Sequence, residues 1–448
     1  MNRRTFIKSG AGAFFIAASG RALGALAASN RLRFAIVGCR EGGRGFSVVK
    51  AVMDVPGVDI AVVCDVDSRA MDFCADWLVR NGRPAPRKEA DFRKVIEMPD
   101  IDGVISETPD HFHAYSAVMA MRAGKHVYVE KPCAFCPAEL EVIRRVWKET
   151  GRVFQQGSQR RSIPAFVEAV GEIRSGRVIG EPLWGKCWYN TRRKPIGRGA
   201  VVPVPDWLNW DLWQATAPRE SFRDNLVPYN WHWFRKWGTG EVGNNQVHFA
   251  DIARWALGVD YPERVVSGGG RLWMPADQDW QWPDTQQISY EFPGRKLLTW
   301  EGTCCVNATP FMGVSTGLVV YGEEGSAFFS PGGDVTAIDR DGHPLKDWKG
   351  ADAAAARVTN TDNRAGGSGN STVLHFANFA DAIRANDPLA CAAHADIAVK
   401  STYLALVGNI AQTTGETLRA DPKTGRILSG ASAESHWGRE YESGWEVA

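Results

Sequence analysis

This sequence has few cysteines and almost no net charge. Its 448 residues include nine cysteines, and 52 basic against 51 acidic residues leave a formal net charge of +1. So few cysteines in so long a chain exclude a scaffold held together by many disulfides. The balanced charge, with no basic run, excludes the electrostatic attraction that binders of nucleic acid or anionic membranes use.

Spaced metal ligands and long apolar runs are scarce as well. Cys133 and Cys136 have CxxC spacing and Cys304 precedes Cys305, but no second CxxC accompanies the first. We therefore expect no metal site and favour a structural over a redox role for Cys133 and Cys136. The apolar stretch at 10–26 is rich in Gly and Ala and contains a charge, so we expect no membrane span.

The N-terminus has the pattern of an export signal. Arg3 and Arg4 precede the weakly apolar stretch, and Ala25-Leu26-Ala27 offers a small-x-small cleavage site. We interpret residues 1–28 as a twin-arginine signal peptide, which predicts a periplasmic protein exported in folded form. A disordered basic N-terminus is the alternative.

The rest of the chain is globular, and its length favours two domains over one. Short apolar runs alternate with helices of ten to fifteen residues, which indicates parallel βαβ units. The predicted strands are 33–37, 59–64, 101–105, 126–129 and 152–156. We expect a doubly wound Rossmann sheet over residues 31–156, with ligands beyond the carboxyl ends of its strands.

A different pattern starts at residue 157. Short alternating strands at 182–189, 287–292 and 296–300 predict an antiparallel sheet with a few helices in a second domain, 157–448. A polar, glycine-rich stretch at 357–371 predicts a mobile loop. Helices are expected from near Val373 and at 397–410.

A glycine turn follows the first strand. It consists of Gly38 and, after three intervening residues, Gly42, Gly43, Arg44 and Gly45, a variant of the usual G-x-G-x-x-G spacing. Such glycines let a pyrophosphate approach the N-terminus of a helix, although a plain strand–helix turn is the alternative. Asp65 ends the second strand and can bind both ribose hydroxyls. Its charge would repel a 2′-phosphate, which favours NAD over NADP.

Two further polar segments end strands, Thr108-Pro109-Asp110-His111 and Glu130-Lys131-Pro132. Lys131 should face the cofactor crevice, where burial lowers the pKa of an amine and lets it take a hydroxyl proton. A surface lysine paired with Glu130 is equally compatible with the spacing.

In the second domain, Asn244 and His248 lie four residues apart on a predicted helix and so share one face. An amide and an imidazole would then stand over a substrate, and a hydrogen-bonded core histidine is the alternative. The tryptophan-rich stretch before this helix supplies further candidate substrate contacts, because aromatic faces suit sugar rings, while core packing is equally compatible. These candidates are Tyr229, Trp231, His232 and Trp233.

Together these motifs resemble the Gfo/Idh/MocA oxidoreductases, which include glucose-fructose oxidoreductase and inositol dehydrogenase. The resemblance covers nearly the whole chain after the signal and is carried by the Val37-Gly38 turn, the segments 108–111, 123–127 and 130–132, and the helix with His248 and Asp251. It implies a Rossmann domain followed by an α/β domain with an open, mainly antiparallel sheet that forms dimers or tetramers. It also implies an NAD(P)-dependent oxidoreductase acting on a sugar, sugar derivative or cyclitol.

The resemblance assigns roles to single residues. Lys131 and His248 become the catalytic pair, and the cofactor contacts are the turn from Gly38 to Gly45, Asp65, Thr108, Pro109, His111, Glu130 and Lys131. Asn244 stands where the family has Asp, and since an amide cannot exchange a proton, it can only orient substrate. Two alternatives remain, a redox-neutral glycoside hydrolase with bound NAD and a non-catalytic sugar-binding relative.

Overall fold

The structure, a computed structural model, describes residues 31–304, 311–350, 370–428 and 430–448. The signal peptide expected at 1–28, Cys305 and most of the loop expected at 357–371 therefore lie outside the described residues. Within the described ranges no helix is long and apolar enough to cross a bilayer.

Six parallel strands form the first sheet. They are Leu32–Val37 (β1), Val58–Cys64 (β2), Arg87–Glu89 (β3), Gly103–Ser106 (β4), His126–Val129 (β5) and Phe154–Gln156 (β6). Their order, β3-β2-β1-β4-β5-β6, is that of a dinucleotide-binding Rossmann domain, as predicted. The edge strand β3 escaped prediction because its three residues, Arg-Lys-Glu, are all polar.

Five helices connect these strands, and their ends follow local chemistry. They are Arg44–Met53 (α1), Ser68–Arg80 (α2), Phe92–Ile96 (α3), Asp110–Arg122 (α4) and Pro137–Thr150 (α5). Helix α5 starts at a proline and stops at Gly151, whose φ of 61° is left-handed. Asp67 is the N-cap of α2, because its side-chain carboxylate accepts the backbone N–H of Arg69.

Nine strands form the second sheet, which is mainly antiparallel, as expected. They are Pro182–Asn190 (β7), Arg264–Gly270 (β8), Thr285–Phe292 (β9), Lys296–Thr303 (β10), Thr316–Gly322 (β11), Gly325–Phe329 (β12), Val335–Asp339 (β13), Pro344–Trp348 (β14) and Leu418–Arg419 (β15). Their order is β14-β13-β12-β11-β7-β10-β9-β8-β15, and β7 and β10 run parallel.

The remaining α-helices lie beside both sheets. They are Pro164–Arg174 (α6), Trp210–Gln214 (α7), Val247–Leu257 (α8), Asn370–Ala385 (α9), Ala395–Thr414 (α10) and Ala431–Glu434 (α11). Helix α8 packs closely on β7, since a Cβ added at Gly185 would lie 3.0 Å from the Cβ of Ala253. The buried carboxylate of Asp251 accepts two hydrogen bonds from Arg161, at 2.6 and 2.8 Å, and one from Ser401 of α10. These bonds fix the orientation of α8, which carries His248.

Helix α9 joins the core of the first domain although it comes late in the chain. The Phe376 and Phe379 rings lie 5.4 and 5.7 Å from the ring of Phe34 in β1. They also pack on Tyr128 of β5, at 5.5 and 5.9 Å. The division expected at residue 156 is therefore not a boundary of packing, because the first sheet is covered in part by residues from the other end of the chain.

Candidate active site

A large cavity lies where the carboxyl ends of the first sheet meet the second domain. Its volume of about 1110 Å³ exceeds the roughly 300–1000 Å³ of a typical small-molecule pocket. One wall comes from the glycine turn, Asp65, residues 107–110 and Glu130-Lys131, and the other from residues 227–229, Trp231, His232, Asn244, His248 and Arg160. A dinucleotide and a small substrate can therefore share this space.

The glycine turn has the shape that close approach of a phosphate requires. Gly38 has φ of 85°, and a Cβ there would lie 2.6 Å from the carbonyl oxygen of Glu107. A Cβ at Gly45 would lie 1.9 Å from the carbonyl oxygen of Gly38. Gly43 is the N-cap of α1 and has no side chain to cap it, which leaves N–H groups of the first helical turn for an anion. The turn fits the pyrophosphate of a dinucleotide.

Asp65 lies at the end of β2 and lines the cavity. Its carboxylate accepts the backbone N–H groups of Cys39, at 2.8 Å, and Asp67, at 3.0 Å. Burial raises the pKa of Asp65, and these two hydrogen bonds oppose the rise. Each carboxylate oxygen keeps a lone pair for a ribose hydroxyl, so the geometry suits the predicted role.

Glu130 links the glycine turn to the lysine. Its Oε1 accepts a 2.8 Å hydrogen bond from Arg44 Nε, and its Oε2 accepts the N–H of Lys131 at 3.1 Å. Burial favours the neutral acid, but the charges of Arg44 and Lys131 hold the pKa of Glu130 below its usual value. Glu130 therefore stays ionised and binds Arg44 rather than the Lys131 ammonium, which leaves that ammonium free to reach across the cavity.

The side chain of Lys131 contacts Asn244 directly. Nζ lies 2.7 Å from the backbone oxygen of Asn244 and 3.2 Å from its Oδ1. Burial lowers the pKa of Lys131, an effect that the charges of Glu130 and Asp110 partly oppose. Asn244 Nδ2 in turn contacts the hydroxyl of Tyr229 at 3.4 Å. The amide that replaces the expected Asp therefore orients the lysine.

His248 faces the same cavity, and the helix that carries it is irregular just before it. Val242–Gln246 form one turn of π-helix, a feature often found at functional sites, before α8 begins. Nδ1 of His248 is buried without a hydrogen-bond partner among the described residues. Burial, followed by the charges of Lys131, Arg160 and Arg44, lowers the pKa of His248 well below its usual value. The imidazole is neutral at neutral pH.

The aromatic segment before this helix divides between cavity and core. Tyr229, Trp231 and His232 line the cavity, and the His232 ring stacks on Trp231 with centroids 3.6 Å apart. Burial lowers the pKa of His232 well below its usual value, so this ring is also neutral. Trp233 points away, is fully buried and stacks on Trp280 at 4.0 Å. Its predicted contact with a sugar is corrected to core packing.

Two predicted cofactor contacts also lie off the cavity wall. His111 is completely buried, and its ring nitrogens contact the backbone oxygens of Trp213, at 3.1 Å, and Trp237, at 3.4 Å. Gly42 is exposed at the outside of the turn, where its φ of 69° shapes the backbone. Thr108 and Pro109, in contrast, line the cavity beside the glycine turn.

The wall residues that sequence reasoning missed include Glu107, Gln159 and Arg160. Glu107 directly follows β4, and both of its carboxyl oxygens are buried without a partner in the described ranges. Burial raises the pKa of Glu107 well above its usual value. Gln159 and Arg160 come just after β6. The rule that singled out Lys131, a polar residue after a strand, would have found all three.

Cys133 and Cys136 are both buried and unpaired. Burial raises the pKa of each thiol to about 12, which keeps both protonated. A protonated thiol neither binds a metal nor attacks a disulfide, which favours the structural role.

Comparison with known proteins identifies the family. A family model described as an oxidoreductase family with an NAD-binding Rossmann fold matches residues 32–158, and that family's C-terminal alpha/beta domain matches 208–400. A glycosyl hydrolase family 109 protein of Shewanella baltica is 30% identical over 156 residues, 33% of each chain. Another, of Saccharopolyspora erythraea, is 38% identical over 224 residues, 49% of this chain and 42% of that protein. These matches thus span less than half of the relatives' lengths.

Solved structures of low identity share the fold. Levoglucosan dehydrogenase in complex with NADH and levoglucosan superposes with a TM-score of 0.63 at 18% identity, over 87% of this chain and 99% of that chain. The aldose-aldose oxidoreductase of Caulobacter crescentus gives 0.62 at 18% identity, with the same coverage. Since the two family models together match well over half of the sequence, this chain belongs to the Gfo/Idh/MocA oxidoreductase family and its first domain is an NAD-binding Rossmann domain.

Proposed function

We propose that this protein interconverts a hydroxyl and a carbonyl group of a sugar, sugar derivative or cyclitol, with NAD held tightly. The observation that carries the proposal is the placement of Lys131 Nζ, held by two oxygens of Asn244 in the cavity that the glycine turn also lines. Bound NAD supplies the hydride acceptor or donor, and the protein must supply binding and proton transfer.

Lys131 is suited to take the proton of a substrate hydroxyl. A neutral amine has two N–H groups and one lone pair, and the two Asn244 oxygens accept the two N–H groups. The lone pair is then free to accept a proton. The lowered pKa of Lys131 makes this neutral form accessible at lower pH than for an exposed lysine. In the reverse direction the charged amine returns the proton to the carbonyl oxygen.

His248 supplies the second polar contact of the reacting centre. Because its imidazole is neutral, one ring nitrogen donates a hydrogen bond and the other accepts one. His248 also lines the cavity that Lys131 lines, so its ring can contact a substrate bound there. His248 thus orients the substrate hydroxyl toward Lys131, while Tyr229, Trp231 and His232 provide ring faces for the sugar.

Asp65 is proposed to set the preference for NAD over NADP. We expect Asp65→Ala to lower the ratio of NAD to NADP affinity by about tenfold or more, because about 1.4 kcal/mol of charge repulsion corresponds to that factor. Titration of nucleotide-free protein with both cofactors measures the ratio. Asp72→Ala, which removes an exposed carboxylate of α2, is the control. An unchanged ratio in Asp65→Ala would remove Asp65 from the ribose site.

The experiment that tests the proposed function is an absorbance spectrum of the purified protein, recorded before and after sugars and glycosides are added. We expect nucleotide to co-purify and a sugar to change the band of reduced nicotinamide. Protein that neither carries nor binds nucleotide would refute the proposal, as would bound nucleotide whose redox state no sugar, cyclitol or glycoside changes.

Redox-neutral glycoside hydrolysis is the second candidate. It is supported by the two relatives named as glycosyl hydrolase family 109 proteins, at 30% and 38% identity. In that case a glycoside would be cleaved with no lasting change in the nicotinamide band. Product analysis beside the spectrum separates the two, since net oxidation yields a carbonyl product and hydrolysis yields free sugar.

We further propose export to the periplasm by the twin-arginine route, on the basis of Arg3 and Arg4. Replacing both by lysine should keep the protein in the cytoplasm with its N-terminal segment uncleaved. Cell fractionation measures this, with Arg31→Lys, near the start of the described chain, as the control. Unchanged export of the double variant would contradict the proposal.

We also propose a dimer or tetramer. Gly185 of β7 faces α8, so its neighbour Trp184 faces the opposite side of the sheet, where it stacks on the exposed Tyr321 at 4.7 Å. Such aromatic surface is typical of an interface between copies. Sedimentation of the purified protein as a monomer at micromolar concentration would refute this.

A further inference from the structure

Arg160 lies in the cavity wall with few bonds to the protein. It belongs to a short 3₁₀ turn at Gln159–Ser162, directly after the first sheet ends. Its guanidinium lies over the ring of Phe249, 4.1 Å from the centroid, and donates one long hydrogen bond, 3.4 Å, to the backbone oxygen of Pro331. An arginine has five side-chain N–H groups, so most of those of Arg160 have no partner in the described ranges.

Five other arginines inside the fold are each paired with an acid, and Arg160 is not. Each of the others has a carboxylate within 3.0 Å: Arg44 with Glu130, Arg161 with Asp251, Arg193 with Glu241, Arg254 with Asp260 and Arg439 with Glu139. Burial alone lowers the pKa of Arg160 to about 10, with no contribution from an acid. Arg160 is partly exposed to the cavity, so an anion bound there can serve as its counter-ion.

The neighbouring groups add positive charge. Lys131 and Arg160 both act on His248, lowering the pKa of its imidazole. Arg160, Lys131 and His248 all line the cavity, and Phe249, on which Arg160 packs, directly follows His248 in α8. The substrate side of the cavity is therefore a positive region in contact with the reacting centre.

We propose that Arg160 binds a carboxylate of the substrate, which makes the substrate class an acidic sugar such as a uronic acid or its glycoside. This inference rests on the proposed function and specifies its substrate. The planar guanidinium can form two parallel N–H···O bonds with a carboxylate, and its single positive charge equals the single negative charge of that group. Phe249 lies against the guanidinium and Arg160 lines the cavity, so a substrate bound there can reach its remaining N–H groups.

Calorimetric titration of the NAD-loaded protein tests the inference. The probes are D-glucuronate and D-galacturonate, the neutral amide D-glucuronamide, the parent hexoses and D-glucose 6-phosphate. We expect at least one uronate to bind about 10- to 100-fold more tightly than its neutral counterpart, the range of a charge-assisted hydrogen-bonded pair. Arg160→Gln should reduce this preference to near one, and Arg160→Lys, which keeps the charge but loses the fork, should give an intermediate value.

The control is Arg192→Gln, which removes the same charge from an exposed position outside the cavity wall and should keep the full preference. Retained NAD shows that each variant is folded. The inference is overturned if neutral sugars bind the unmodified protein as tightly as uronates, if Arg160→Gln keeps the preference, or if the phosphate ester binds most tightly. If neutral sugars bind or react without a preference for acids, Arg160 alone is misassigned. If no sugar binds while NAD does, the proposed function fails with it.

Discussion

Lys131→Ala is expected to lower kcat by about 100- to 10,000-fold, the range that a positioned acid–base group contributes. Bound NAD should remain, because the glycine turn and Asp65 are untouched. The amine lies 2.7 Å from the Asn244 backbone oxygen, so the substitution removes a wall group that is held in place to accept a hydroxyl proton. Steady-state turnover and nucleotide content, measured on the same preparation, check both parts.

The pH dependence of the unmodified enzyme should also reflect proton transfer by Lys131. Oxidation needs the neutral amine, so its rate should rise with pH and level off above the pKa of Lys131, which lies below the usual 10.5. Reduction needs the charged amine, so its rate should fall across the same interval. Asn244→Asp would place a negative charge beside the amine, raise the pKa of Lys131 and move both profiles to higher pH.

The control for Lys131→Ala is Lys94→Ala, which removes an exposed lysine of α3 and should leave kcat unchanged. A Lys131→Ala enzyme that retains NAD and turns over at the normal rate would assign proton transfer elsewhere, with His248 and Glu107 as the remaining candidates. If the variant instead binds sugars normally and the unmodified protein has no turnover, the chain is a binding protein.

Gly45→Ala is expected to have the largest effect on cofactor binding. Its Cβ would lie 1.9 Å from the carbonyl oxygen of Gly38, so the turn must open by a backbone movement. Overpacking of this kind costs about 1–3 kcal/mol, which corresponds to about 10- to 100-fold weaker NAD binding if the strain falls on the bound state. Nucleotide content after purification and the melting temperature measure the two consequences.

Gly171→Ala is the matched control, since this glycine lies inside α6 with nothing within 4 Å of an added Cβ. Alanine there should raise the free energy of unfolding by about 1 kcal/mol, because glycine is the poorer helix former. A Gly45→Ala protein with full nucleotide content and an unchanged melting temperature would show that the turn is looser than its geometry indicates and would weaken the assignment of the pyrophosphate site.

The first sheet could be predicted because its signals are local. Buried apolar runs, helix caps and turn glycines each lie within a few residues, so β1, β2, β4 and β5 and the positions of Asp65 and Lys131 followed from the sequence. The different locations of Trp231 and Trp233 could not be predicted from the sequence. Both belong to one aromatic stretch, yet one lines the cavity and the other stacks on Trp280, a residue almost 50 positions away in the sequence.

The sequence also could not show which charged side chains have an oppositely charged partner. Arg160 and Arg161 are adjacent and chemically identical, and only the fold gives Asp251 to one and the open cavity to the other. Likewise, Asn244 was expected to orient the substrate, and only the structure shows that it also contacts Lys131. In both cases the partner of the side chain depends on contacts between residues that are far apart in the sequence.

The return of α9 to the first sheet has a consequence for the order of events during synthesis. The six strands are complete at Gln156, but Phe376 and Phe379, which cover Phe34 and Tyr128, follow roughly 200 residues later. At about 5–20 residues per second a ribosome needs roughly 10–40 s to reach them. During that interval Phe34 and Tyr128 of the nascent chain lack the side chains that cover them. The first domain is therefore complete, and able to bind the dinucleotide in its final form, only after nearly the whole chain has been translated.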